Sequence, residues 1–353
     1  MDFSDQPSEI RNGEELDAAR VEGFMRDSIP GLSGQMTIHQ FRRGHSNLTY
    51  LITIGDRQMV LRRPPFGTKA KTAHDMNREY RILTALNLVF CYCPQPIVYT
   101  DDASIMGCPF YLMERVPGII LRRDLPPGLD LTSQQVKKLF ENLVKVQIEL
   151  HAIDYHKIGL ADFGKPQGYV GRQVLGWSRR YRAARTPDVP DCELIMAWLE
   201  KHMPPDTDHP AIIHNDFKLD NTVLDKKDPT KIIGVLDWEM ATIGDPFMDL
   251  GSSLAYWVEP EDPPEIQAIR TMPSHREGAL SRKQVIEYYA QLSGRFIGDF
   301  SFYYCFGLFR LAVIAQQIYY RYYHGQTKDQ RFKDLILYVV ILEKVARNII
   351  EKI

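Results

Sequence analysis

The sequence predicts an α+β fold of two lobes, a small β-rich N-terminal lobe and a larger, mostly helical C-terminal one. Three observations predict it. Residues 35–63 hold three runs of strand-forming residues, and a fourth follows at 109–116. Beyond these runs, apolar residues recur at helical spacing behind helix start signals. The change of pattern falls at Pro117-Gly118. A hinge is therefore expected near residues 114–118, dividing a lobe over 1–115, with an N-terminal helix, from one over 116–353. The 353 residues suffice for two such bodies.

Taken in order, the first strands are "QMTIHQF", "LTYLITI" and "RQMVLRR", and Gly55-Asp56 stands where the last two need a hairpin turn. A helix is expected from about Lys69 to Asn87, with Met76, Tyr80, Leu83 and Leu86 on one face. Pro94 and Pro96 break the chain before the strand "PFYLMERV". Thr132 and Gln135 have capping-box spacing, and Val136, Leu139, Phe140, Leu143, Val146 and Leu150 form the stripe behind them. Ser281 with Gln284, and Thr327 with Gln330, repeat that signal for two late helices. Short strand-like pieces, "AIIH", "NTVL" and "KIIGVLDW", lie between the helical blocks. Residues 300–320 are the most apolar stretch, but Arg310, Gln316 and Gln317 interrupt it, which predicts a buried helix rather than a membrane span.

Bulk properties narrow the function. A net charge of −2 and a pI near 6.6 give no electrostatic reason to bind nucleic acid or an anionic membrane. The acidic start lacks the basic and apolar parts of a signal peptide, and five cysteines form no regular framework. Both point to a cytoplasmic address. "CYCP" has no second ligand pair to complete a metal site.

The chemistry concentrates in "HNDFKLDNTVLD", residues 214–225, directly behind the apolar "AII". A second apolar run, Ile232 to Leu236, ends in Asp237. A carboxylate at a strand mouth suits a hard cation, and magnesium takes one or two protein oxygens with water and phosphate completing its shell. Asn221 offers an amide oxygen and Asp237 a carboxylate. Asp216, five residues before Asn221, is placed to face a substrate instead. The order H-x-D-x-x-x-x-N followed by a downstream Asp is that of phosphoryl-transfer loops. No G-x-S-x-G is present for acyl chemistry.

"HNDFKLDN", "LDWE" and "GDPFMDLG" together resemble the choline/aminoglycoside phosphotransferase family, which has a protein-kinase-like fold. The resemblance runs from about residue 35 to 330. It is strongest to the branch that includes the kinase-like domains of acyl-CoA-dehydrogenase-fused proteins. It implies an enzyme that uses ATP and Mg2+ to phosphorylate a hydroxyl of a small molecule. Asp216 is then the catalytic base, and Asn221 and Asp237 hold magnesium. His214 and Asp249 support the loop. Nucleotide binding falls to Ser46 and Asn47 in the phosphate turn, Arg62 on the third strand, and backbone groups of the hinge at Glu114 and Val116. Glu79, on an otherwise apolar helix face, needs a cationic partner, for which Arg62 is the candidate. The phosphate turn has the single glycine Gly44 where protein kinases have three, and Arg62 stands where lysine is common.

The acceptor is less determined. Arg172, Arg179, Arg180, Arg182 and Arg185, beside Trp177 and Tyr181, form either a solvated basic helix or a grip for an anionic acceptor. With the branch resemblance this favours a hydroxyacyl compound, free or as its CoA thioester. An amino sugar is the alternative acceptor, for which the acidic residues 259–265 would supply a wall. A pseudokinase without turnover is the alternative of another class, and a metal-dependent phosphoesterase lacks the second ligand cluster it would need.

Overall fold

The computed structural model describes residues 3–41, 47–66, 75–327 and 329–352. They form two compact units. One comprises Met1–Ile120, Lys157–Leu160 and Asn221–Ala241, and the other Leu121–His156, Ala161–Asp220 and Thr242–Ile353. The chain begins with α1 (Ala18–Ser28), β1 (Met36–Gln40), β2 (Leu48–Ile54), β3 (Arg57–Arg63), α2 (Met76–Leu86), β4 (Pro96–Thr100), α3 (Ala103–Met106) and β5 (Phe110–Glu114). It continues through α4 (Ser133–His151), α5 (Tyr169–Ala184), α6 (Glu193–Lys201), β6 (Ala211–Ile213), β7 (Thr222–Leu224), β8 (Ile232–Val235) and β9 (Thr242–Gly244). The last helices are α7 (Pro246–Leu254), α8 (Pro264–Ala268), α9 (Arg282–Ser293), α10 (Ser301–Tyr323) and α11 (Leu335–Ile350).

The first unit is built on a five-stranded antiparallel sheet in the order β1-β2-β3-β5-β4. Gly55, at φ +56°, makes the two-residue turn between β2 and β3, a conformation that glycine adopts without steric cost. Tyr50, Ile52, Met59, Leu61, Phe110 and Leu112 from three strands bury against Val21 and Met25 of α1. Each such side chain contributes about 1.5–3 kcal/mol of hydrophobic stabilisation. The β7–β8 hairpin joins this unit through a bridge between Leu224 and Ile119.

Three sequence expectations need correction. The helix expected from Lys69 instead has Asp75 as an extended N-cap that accepts from Arg78 N–H, so helical backbone begins at Met76; residues 69–74 lie outside those described. Pro96 opens β4 instead of only breaking the chain. Proline is tolerated as the first residue of a strand, where no ladder donor is required. Thr327 and Gln330 do not start a long helix: Asp329 caps a single 3₁₀ turn, Gln330–Phe332, and α11 begins at Leu335.

In the second unit the capping boxes at Thr132/Gln135 and Ser281/Gln284 both form and open α4 and α9. Helix α10 covers the apolar 300–320 stretch and is largely buried. Its Gln316 donates from Nε2 to Ala184 O at 2.7 Å and Thr186 Oγ1 at 3.2 Å, while its buried Oε1 finds no donor among the described residues. Among the described residues no helix is long and apolar enough to cross a membrane.

Helices α7 and α10 touch backbone to backbone. A Cβ on Gly307 would fall 2.1 Å from Gly251 O, and one on Gly251 would fall 2.3 Å from Tyr303 O. Gly307→Ala is therefore expected to destabilise the chain by about 1–3 kcal/mol through overpacking, read as a lower urea midpoint.

Candidate active site

In the first unit the sequence-selected residues gather around Arg62. Its Nη2 lies 2.8 Å from Asp237 Oδ1 and 3.9 Å from Glu239 Oε2, and its Nε lies 3.4 Å from Glu79 Oε1. Helix α2 delivers Glu79 because Met76, Ile82, Leu83 and Leu86 bury the same side of the helix. Glu79 is only 2% exposed, and burial pushes its carboxyl above the usual range, with Arg62 pulling the other way. Burial also works against the charge of Arg62, but Glu79 and Asp237 outweigh it and hold the guanidinium above its ordinary pKa. Three carboxylates thus surround one guanidinium, which leaves the cluster with excess negative charge. Asn47, just before β2, donates from Nδ2 to Glu239 at 2.8 Å.

The hairpin β7–β8 brings Asn221 and Asp237 to one end. Thr222 pairs with Val235, and Leu236 N–H donates to Asn221 O at 2.8 Å. Asp237 follows with φ +68°, a left-handed backbone that costs free energy for a residue other than glycine and recurs at functional sites. Trp238 anchors the turn by donating from Nε1 to Val235 O at 2.9 Å.

The second unit holds the other set. The chain leaves β6 into His214, which is fully buried. Asn215 turns with φ +64°, and Asp216 N–H donates to His214 Nδ1 at 3.2 Å. Asp249, in the first turn of α7, fixes this turn from behind: its carboxylate accepts from His214 N–H at 3.3 Å and from Asn215 N–H at 2.5 Å. It also binds His151 Nε2 at 2.9 Å and Gln147 Nε2 at 3.1 Å. Burial alone would raise the Asp249 carboxyl, yet its bond with His151, helped by Gln147, holds it below the ordinary value.

Asp216 itself is held at both oxygens. The Tyr256 hydroxyl donates to Oδ1 at 2.8 Å, and Lys218 Nζ lies 3.2 Å from Oδ2. Lys218 also lies 3.6 Å from Asp220 and sits 4.5 Å over the Tyr256 ring. Burial opposes the Lys218 charge, but Asp216 overrides it and keeps the ammonium well above its usual pKa. A carboxylate fixed in this way is suited to orient a hydroxyl and receive its proton.

Of the remaining sequence-selected residues, Ser46 lies outside the described residues. Glu114 ends β5, with its side chain 2.5 Å from Arg57 and its N–H donating to Gln95 O at 2.8 Å. Val116 follows it and packs against Gly234. Three of the five arginines singled out in the sequence are engaged locally: Arg172 donates to Lys165 O and Gln167 O, Arg182 pairs with Glu193 at 2.6 Å, and Arg180 stacks 4.6 Å over Trp177. Sequence reasoning missed Tyr256, Glu239 and His151. Tyr256 is 40 residues from Asp216, with no local pattern to link them, whereas Glu239 stands in the quoted "LDWE".

Residues 37–281 match the profile of the APH family, described as the phosphotransferase enzyme family. The chain belongs to this family. Among curated relatives, acyl-CoA dehydrogenase family member 10 of Mus musculus is 36% identical over 299 residues, 84% of this chain and 28% of that protein. Acyl-CoA dehydrogenase family member 11 of Homo sapiens is 31% identical over 347 residues, 97% of this chain and 44% of that one. The chain thus spans less than half the length of these relatives. A solved structure from Ralstonia eutropha JMP134, given the provisional description aminoglycoside phosphotransferase, superposes with a TM-score of 0.80 at 29% identity, covering 96% of this chain and 99% of that one. The aminoglycoside phosphotransferase APH(4)-Ia, bound to AMP-PNP and hygromycin B, shares the fold with a TM-score of 0.54 at 15% identity, over 94% and 98% of the two chains. The fold of this family member is protein-kinase-like, with the β-rich and helical parts that the sequence predicts.

Proposed function

We propose that the chain is an ATP- and magnesium-dependent phosphotransferase that moves the γ-phosphate to a hydroxyl of a small molecule. The observation that carries this reading is Asp216. It stands in the H-x-D-x-x-x-x-N order of a phosphotransferase-family chain, with its backbone fixed by His214 and Asp249 and its carboxylate fixed by Tyr256 and Lys218. Asp216 accepts a hydrogen bond from the acceptor hydroxyl, aims its oxygen and takes its proton. His214 and Asp249 hold the turn.

The residues at the end of the β7–β8 hairpin fit magnesium. Asn221 and Asp237 offer only oxygen donors, and the carboxylate excess around Arg62 favours a further cation. Among the described residues no three His, Cys, Asp or Glu side chains gather into a complete cage, and magnesium held against phosphates needs none. When bound, the metal neutralises charge on the nucleotide phosphates. Asn47, Ser46 and Arg62 meet those phosphates, Glu79 steadies Arg62, and the backbone at Glu114 and Val116 meets the base. ATP is the donor by kinship with a fold neighbour that holds AMP-PNP. All five cysteines are free thiols, which suits a cytoplasmic setting.

Arg62 can be tested without stranding Glu79, the most buried of its three carboxylate partners. The double substitution Arg62→Met with Glu79→Gln removes both charges of the pair, and ATP affinity should fall by roughly ten- to a hundredfold in calorimetry.

For the acceptor, kinship with acyl-CoA dehydrogenase family members favours a hydroxyacyl compound, free or as its CoA thioester. The second reading, an amino sugar, draws on the hygromycin-bound neighbour. It is weakened by Arg282, which pairs with Glu259 at 3.0 Å and Asp262 at 2.7 Å and so offsets the acidity of that loop. Acceptor-dependent ADP release, measured with hydroxy acids, hydroxyacyl-CoAs and aminoglycosides, tests the proposal. Release with a hydroxyacyl acceptor supports it, and release with aminoglycosides alone moves the reading to the amino sugar. Nucleotide binding with no release for any acceptor leaves a pseudokinase.

A further inference from the structure

Tyr256 does more than hold Asp216: its side also forms part of the wall of a pocket. Trp257, Ile269, Leu308, Tyr338 and Leu342 line the same space, which is partly open to solvent. The one arginine in the wall, Arg282, is already committed to Asp262, Glu259 and the Trp257 carbonyl, so the lining offers chiefly carbon.

The rim differs. Arg270 stands between the lining residues Ile269 and Thr271, with its side chain only 11% exposed. It bonds Asp124 Oδ1 at 2.5 Å and the Arg123 carbonyl at 3.3 Å. Arg276 follows six residues later and makes no ion pair with any described residue. Arg123, 3.9 Å from Asp124 Oδ2, and Arg270 thus share the single carboxylate of Asp124, itself 64% exposed, and Arg276 adds a third guanidinium without a carboxylate of its own among the described residues. His275 stands among them; burial, with Arg270, Arg276 and Arg123, pushes its imidazole below the ordinary pKa, so it does not add to the charge at neutral pH. Arg123 also lies within electrostatic reach of Tyr338, another lining residue. An apolar pocket therefore has a carboxylate-bound tyrosine in its wall and surplus guanidinium charge at its rim.

We propose that this pocket binds an aliphatic compound with an anionic end group, a carboxylate or a phosphate. The chain occupies the pocket and the end group sits on Arg270 and Arg276. Guanidinium forks match either oxyanion in two places, and the apolar lining selects the chain. That such a compound is the phosphate acceptor rests on the phosphotransferase reading; that it binds does not.

The test is calorimetry on the full chain with hexanoate, hexyl phosphate, hexanol and hexylamine. At least one of the two anions should bind more tightly than both hexanol and hexylamine. Arg276→Gln should weaken that binding about tenfold, as expected for one lost charge-assisted contact, and leave ATP affinity unchanged. Arg123→Gln, on an exposed side chain, serves as the second variant should Arg276→Gln fold poorly, and should weaken the anion in the same direction. Preference for hexyl phosphate or hexanoate identifies the end group. Binding of neither anion, equal binding of the amine, or indifference to the arginine substitutions overturns the proposal. Anion binding without turnover of any hydroxylated acceptor would sustain this site while the phosphotransferase reading fell.

Discussion

Asp216→Asn should lower acceptor phosphorylation by a factor of about 10²–10⁴, the range for loss of a positioned general base. ATP affinity should stay at the wild-type value, because no nucleotide contact is assigned to this side chain. The amide is nearly isosteric, and Tyr256 can still donate to its oxygen, so the loop should keep its shape. What disappears is the charge that would receive the acceptor proton and that pairs with Lys218. Lys218 retains Asp220 at 3.6 Å, so its ammonium is not stranded. Steady-state kcat together with ATP Kd from calorimetry separates this outcome from a folding defect, which would move both.

Asp249→Ala should destabilise the second unit by about 3–5 kcal/mol, the usual cost of removing one partner from a buried, charge-assisted network. Two backbone N–H groups, the Gln147 amide and the His151 ring all lose their acceptor, in a place without solvent to replace it. Urea unfolding with the slope unchanged measures the loss. The same carboxylate gives a pH dependence. Its folded pKa lies below its ordinary value, so the unfolded chain takes up the proton first as pH falls. The contribution is full above the ordinary carboxylate pKa and declines as acid approaches the folded one. Asp249→Ala should therefore flatten the acid limb of the stability curve. Activity should fall with stability, since the Asp249 carboxylate sets the backbone that carries Asp216.

Much of this was legible because local rules and global need agree. The hairpin at Gly55-Asp56 and the capping boxes at Thr132 and Ser281 each combine a local conformational preference with an apolar run that must be buried. The Glu79 argument worked for a related reason: a carboxylate on an apolar helix face cannot stay without a cation, and Arg62 lies 3.4 Å away. What was illegible depends on tertiary pairing. β9, three residues long, exists because β6 offers it an edge. β4 begins on a proline that locally reads as a break. Thr327 and Gln330 carry the right spacing, but Asp329 competes as a cap and the helix starts later. Tyr256 reaches Asp216 only because α7 ends beside the turn that follows β6, and no periodicity encodes that meeting. The charge of the α5 arginines is visible in sequence; that Arg172 and Arg182 spend it on nearby carbonyls and Glu193 is not.

The claim on which the account turns is that the γ-phosphate leaves ATP for an acceptor hydroxyl activated at Asp216. Product analysis by phosphorus NMR, with ATP, magnesium and the acceptor that gives the fastest ADP release, tests it most directly. The account predicts one phosphomonoester on the acceptor for each ADP formed, and neither product from Asp216→Asn above its residual rate. Inorganic phosphate in place of the ester, or undiminished ester from Asp216→Asn, would contradict it.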